Sequence, residues 1–194
     1  MTYPDHLLPD VFRRPSAFRA VSLQDQEIEA DTAVKVFFNE EAFDLGLEYK
    51  RRNSLFVPRR DGVYLIQGTL SFEPDNFEEN YRTRVEVRVN GNPYEAADND
   101  FWGSGVEVEN VVQVSAILQL EAGDEVEIYV ESSIPGTIAS YQPGSNTTSF
   151  SAAKLAESYS FRKLRYTPFY FTLSISSRKA SWGSCSFCFN TLQP

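Results

Sequence analysis

The sequence predicts an all-β protein, a sandwich or jelly roll. Three observations carry that prediction: eight or more short runs rich in β-branched and aromatic residues, Gly or Asn turn signals between them, and no long amphipathic helical pattern. With 194 residues, one domain is the default, and 42% hydrophobic against 23% charged residues is ordinary for a globular chain.

The elements follow in order. Residues 1–15 hold three prolines and read as an N-terminal arm. Phe18–Leu23 and Ala33–Phe38 are short strands, the second turning polar at Asn39-Glu40-Glu41. Leu55–Pro58 ends in proline, which suits a strand end or an edge. Gly62–Phe72 is a long buried strand, with Asp61-Gly62 as the turn into it. Arg82–Val89 alternates strictly: Val85, Val87 and Val89 share one face, Arg84, Glu86 and Arg88 a solvated one. Asn90-Gly91 follows, a two-residue hairpin signal because both positions accept positive φ. Val106–Leu120 reads as another long strand, with Val112, Val114, Ala116, Leu118 and Leu120 on one face. Glu121–Asp124 is a turn, Glu125–Glu131 alternates again, Pro135–Asn146 is a loop, and Thr148–Leu155 closes the series. The jelly roll thus spans 16–156, and 157–194 is a C-terminal extension.

Charge sharpens that boundary. Residues 1–157 carry all 27 acids and 13 of the 18 bases, a net of -14, whereas 158–194 carry five bases and no acid. An acidic body repels phosphate backbones, which argues against nucleic-acid binding. No run approaches the ~20 apolar residues of a membrane helix, and the opening residues lack the basic and apolar regions of a signal peptide. The 184 residues before Cys185 contain no cysteine, so composition leaves the compartment open.

Spacing gives the strands a family. Phe38, Asp44, Tyr49, Phe56, Gly62 and Tyr64 follow one another at intervals that match the complement C-one-q globular head, a branch of the TNF-like jelly rolls. Asn90-Gly91, Leu120-x-x-Gly-Asp124 and the terminal Phe150 agree with it, whereas Ile66 and Gly68 stand where the family has aromatics. The chain therefore resembles that family over roughly 16–155. The resemblance implies a TNF-like jelly roll of about ten antiparallel strands, forming a non-enzymatic homotrimer that binds protein or glycan ligands. It further implies Phe56 packing on Tyr64 from neighbouring strands and Asp44 tying a loop. Interface candidates are the apolar faces of 62–72 and 111–120, with Tyr129, each of which reads equally as plain sandwich core. Without a collagen repeat, the chain is similar to stalkless short forms and bacterial relatives, for which an extracellular, cell-surface or spore-surface place is expected.

Chemistry is sparse. Asp98-Asn99-Asp100 reads as a loop whose oxygens suit calcium, with Phe101 and Trp102 beside it as a lid on the core or a ligand-contacting patch. Glu27, Glu29 and Asp31 alternate along one strand face, but position 34 is Val where a jelly-roll glycosidase needs a second glutamate, so a solvated acidic edge is expected. Cys185 and Cys188 have redox or metal spacing without the further ligands zinc needs. His6 has no candidate partner, and Asn146-Thr147-Thr148 is a glycosylation triplet relevant only in a secreted eukaryotic protein. No cofactor is required. The expectation is a non-catalytic trimeric recognition or surface-display module acting through loops near 95–105 and 135–146. The rivals are a carbohydrate-active jelly roll and a purely structural coat or phage component.

Overall fold

A computed structural model describes residues 14–145 and 147–157. The arm before residue 14, the extension beyond 157, His6, Asn146, Cys185 and Cys188 lie outside the described residues.

Thirteen strands and no helix are found among the described residues. They are β1 (Ala17–Val21), β2 (Gln26–Ile28), β3 (Val34–Lys35), β4 (Glu40–Asp44), β5 (Tyr49–Lys50), β6 (Leu55–Phe56), β7 (Gly62–Pro74), β8 (Tyr81–Val89), β9 (Asn92–Phe101), β10 (Asn110–Leu120), β11 (Val126–Ser132), β12 (Gly136–Ile138) and β13 (Ser149–Glu157). One sheet has seven strands, in the order β2-β12-β7-β13-β1-β4, with β10 on the other side of β7. The second has six, β5-β6-β11-β8-β9, with β3 also paired to β11. All named strand pairs are antiparallel. The architecture is a jelly-roll sandwich, as the alternating strands require.

The spaced aromatics meet between the sheets. Phe18 stacks on Tyr49 at 4.7 Å and on Phe56 at 5.0 Å, and Phe150 meets it edge-on at 4.9 Å. Phe38 joins Phe150 at 5.6 Å. Phe56 and Tyr64 do pack, at 5.6 Å, but from opposite sheets and not from neighbouring strands. Each polar tip in this cluster has a partner: the Tyr49 hydroxyl donates to the Phe38 carbonyl at 2.6 Å and the Tyr64 hydroxyl to the Arg60 carbonyl at 2.7 Å. Asp44 ties its loop as anticipated, accepting from the Tyr49 N–H at 2.8 Å.

Three glycines or glycine pairs show why the sequence is what it is. Asn90 and Gly91 have φ of 53° and 77°, the left-handed pair of a type I′ turn closing Val89 on Asn92. Gly62 is not in the left-handed region; a Cβ there would lie 2.3 Å from Lys154 Cε and 2.8 Å from the Ala156 carbonyl, so it provides clearance for β13 and not the turn read from sequence. At Gly68 a Cβ would lie 2.9 Å from Ile128 Cδ1, so Ile128 of the facing sheet fills the space of the missing aromatic.

Several element boundaries need correction. The 106–120 run begins as strand only at Asn110, and 136–138 within the expected 135–146 loop is strand β12. The acidic 27–31 run is not one strand face: β2 ends at Ile28 and Asp31 has φ of 54°. Of the faces readable as interface or core, Val112 to Leu120 is core, and Tyr129 lies on the outer face of the other sheet.

Burial pushes the Tyr49 and Tyr64 hydroxyls up to about 12 from 10.0. Because the folded values are raised, the unfolded chain loses these protons first. The contribution of these two hydroxyls to stability is therefore constant below about pH 10 and is lost as pH rises through 12. Urea unfolding across this range should show the fall. Tyr49→Phe should lessen it, leaving the part due to Tyr64, while losing about 1 kcal/mol at neutral pH for the missing hydrogen bond.

Candidate functional site

The outer face of the six-stranded sheet carries the densest polar chemistry among the described residues, and the β8–β9 hairpin builds it. From its Asn90-Gly91 turn, a uniform register would oppose Arg82 to Asn99 and Arg84 to Ala97. A bulge between Val87 and Arg88 shifts the pairing by one residue, so Arg82 opposes Asp100 and Arg84 opposes Asp98. Arg82 Nε donates to Asp100 Oδ1 at 2.9 Å and Arg84 Nη1 to Asp98 Oδ2 at 3.0 Å. Glu86 sits between Arg84 and Arg88, accepting at 2.8 Å and 2.9 Å, and the Arg88 guanidinium lies 3.7 Å over the Tyr129 ring.

Glu86 is buried, not on a freely solvated face as its alternation implied. Desolvation alone would raise its pKa, but hydrogen bonds and charge from Arg84 and Arg88 outweigh it and hold the carboxyl below its usual value.

Asp98, Asn99 and Asp100 are therefore on strand β9, not in a loop. The two carboxylates are neutralised by arginines, and strand alternation puts Asn99 on the other face. The set does not converge as calcium ligands must. Among the described residues, no group of three or more His, Cys, Asp or Glu side chains could hold a metal ion.

At the end of β9 the ladder meets a cleft of about 530 Å³, lined by Arg82, Arg84, Asp98 and Asp100, by Glu131 beside Arg84 on β11, and by Trp102. Trp102 is 78% exposed, so it is no lid on the core, whereas Phe101 beneath it stacks on Tyr81 at 5.0 Å. The backbone after Trp102 is clamped. Gly103 N–H donates to Asn80 Oδ1 at 2.9 Å, and the N–H groups of Ser104 and Gly105 donate to the Phe77 carbonyl at 3.0 and 2.9 Å. A Cβ on Gly103 would lie 2.1 Å from the Glu78 carbonyl oxygen, so only glycine allows this approach. Sequence reading found Trp102 and the two aspartates. It missed Arg82 and Arg84 as the partners of the aspartates, because the bulge that aligns them has no sequence signature beyond Pro93, and it missed Asn80, which accepts from the Gly103 N–H.

A second feature lies on the outer face of the seven-stranded sheet. Register places Ile117, Leu65, Ala153 and Ala17 side by side across β10, β7, β13 and β1, an apolar stripe. Ile117 is 66% exposed, and Val111, at 50%, points to the same face farther along β10. Beside it runs a polar row, Ser115, Gln67, Ser151 and Arg19.

This fold is the jelly roll shared by complement C-one-q heads and TNF ligands. The globular domain of zebrafish complement 1qA protein is similar at 18% identity, covering 75% of this chain and all of that one, with a TM-score of 0.50. Eiger TNF from S. frugiperda is similar at 12% identity over 75% of this chain and 96% of its own, TM-score 0.55. Murine APRIL is similar at 13% over 73% of this chain and all of its own, TM-score 0.53. No protein-family model and no curated protein matches the sequence. The class is thus a complement-head/TNF-like jelly-roll domain, defined by fold.

Glu86→Gln should cost about 1 kcal/mol at pH 7 in urea unfolding, the arginine partners being partly exposed. Glu86 has a lowered folded pKa, so its contribution is present above the unfolded value and lost as pH falls through the folded one. The difference between wild type and variant should therefore shrink below about pH 4.

Proposed function

We propose that the chain is a non-catalytic homotrimeric recognition module that meets its partners through the β8–β9 end of the sandwich. The observation that carries it is the Ile117–Leu65–Ala153–Ala17 stripe, with Ile117 exposed and the other three half-buried, apolar across four strands of a face with no other layer over it among the described residues. Leaving such a stripe in water costs roughly 25 cal/mol per Å² of apolar area. Closed association of like faces around one axis covers it without leaving a free edge. Flanking glutamines and serines can pair across copies. The complement-head and TNF-like fold supports the same reading.

A glycosidase role has no support in the residues. Glu29 and Asp31 lie past the end of β2, Asp31 at a φ of 54°, and the ladder carboxylates are bound to arginines. Threefold presentation multiplies the affinity of each cleft when partners are repetitive.

Light scattering on the full chain should give about 66 kDa, three times the chain mass of 22.0 kDa. Ile117→Arg should reduce it to the single-chain mass with an unchanged circular dichroism spectrum. A calcium chelator should leave the trimer intact. A wild-type mass of one chain would remove this reading.

A further inference from the structure

We propose that the cleft beside Trp102 binds a neutral sugar unit, with the indole as its platform and Asn80, Arg82 and Asp100 reading its hydroxyls. The inference rests on the recognition-module reading above and gives that site a ligand class.

A sugar ring offers an apolar C–H face and a rim of hydroxyls, each both donor and acceptor. Its recognition calls for a flat aromatic surface held in water beside polar groups oriented in advance. Both halves are present. Trp102 is 78% exposed on a backbone that three hydrogen bonds and the Gly103 contact hold in place. Keeping a large aromatic in solvent on a fixed backbone does nothing for the core, which Phe101 already fills from the preceding position.

The polar groups are fixed yet not used up. Asn80 spends its Oδ1 on the Gly103 N–H, which orients its amide and leaves Nδ2 as a donor. Arg82 spends Nε on Asp100 Oδ1, leaving its terminal nitrogens and Asp100 Oδ2 to meet a ligand. A carboxylate oxygen lining the same cleft as guanidinium and amide donors suits adjacent hydroxyls, which donate and accept in turn.

The cleft also selects by charge. Asp31, Asp98, Asp100 and Glu131 line it against Arg82 and Arg84, an excess of two negative charges, which disfavours sulfated, phosphorylated or carboxylated ligands. A purely apolar peptide would leave the polar groups unpaired. About 530 Å³ is room for one or two rings.

The chain has two tryptophans, so Trp182→Phe in the full chain makes Trp102 the only indole reporter. Its fluorescence would be titrated with the methyl glycosides of glucose, mannose, galactose and N-acetylglucosamine, each up to about 0.1 M. At least one should give a saturable change. Asn80→Ala and Asp100→Ala should each weaken it about tenfold, with unfolding midpoints confirming that both variants fold. Asp100→Asn, which keeps an acceptor, should retain part of the binding. No saturable change with any of the four overturns the inference, as does a change that Asn80→Ala and Asp100→Ala leave intact. Measuring mass on the same sample separates the two readings. A trimer whose Trp102 ignores all four sugars fails only here, and a single chain whose Trp102 responds fails only the trimer.

Discussion

The stack of Phe18 on Tyr49 and Phe56 is the contact on which the rest of the fold depends. Phe18 comes from the seven-stranded sheet and its two partners from the six-stranded one, so each ring-to-ring contact is also a bond between sheets. Phe150 closes the cluster from β13, and Phe38 and Tyr64 extend it. Burying a ring of this size contributes about 1.5–3 kcal/mol, with roughly 0.5–1.5 kcal/mol more for a well-placed aromatic pair. Residues far apart in the chain share one small volume, so neither sheet can slide without breaking several contacts together.

A locked sandwich leaves two outer faces free to specialise. The six-stranded sheet is covered by its own side chains: arginines paired with carboxylates, and Arg88 laid over Tyr129. The seven-stranded sheet carries an apolar stripe and small amides and hydroxyls, with Arg19 at one end. A charged face whose side chains largely pair with one another gains little from self-association, whereas the apolar face gains from being covered. On the proposed reading, that asymmetry would direct self-association to one sheet and leave the Trp102 end of the other for a ligand.

Legibility in the sequence followed burial. Arg82–Val89 and Val112–Leu120 could be read because each has one core face and one outer face, which writes a period of two into the chain. Strand β9 could not: its Glu95, Asp98, Asn99 and Asp100 have the composition of a loop, and it is a strand because β8 offers it arginines and a backbone ladder. The bulge at Val87/Arg88 decides which residues face the cleft, and one residue of slip would have put Asn99 in place of Asp100. β4 and β12 were hidden in the same way, one by glutamates and one beside a proline. Gly62 and Gly68 were visible as glycines, but their reasons lie across the fold in Lys154 and Ile128.

The central claim, that the outer face of the seven-stranded sheet is where copies of this chain meet, is tested most directly by amide hydrogen exchange at a series of protein concentrations. Peptides covering 110–120, whose strand lies at the edge of that sheet, should exchange more slowly as concentration rises, while those covering 92–101 should not change. Protection that is independent of concentration at 110–120, or that grows at 92–101 instead, would contradict the account.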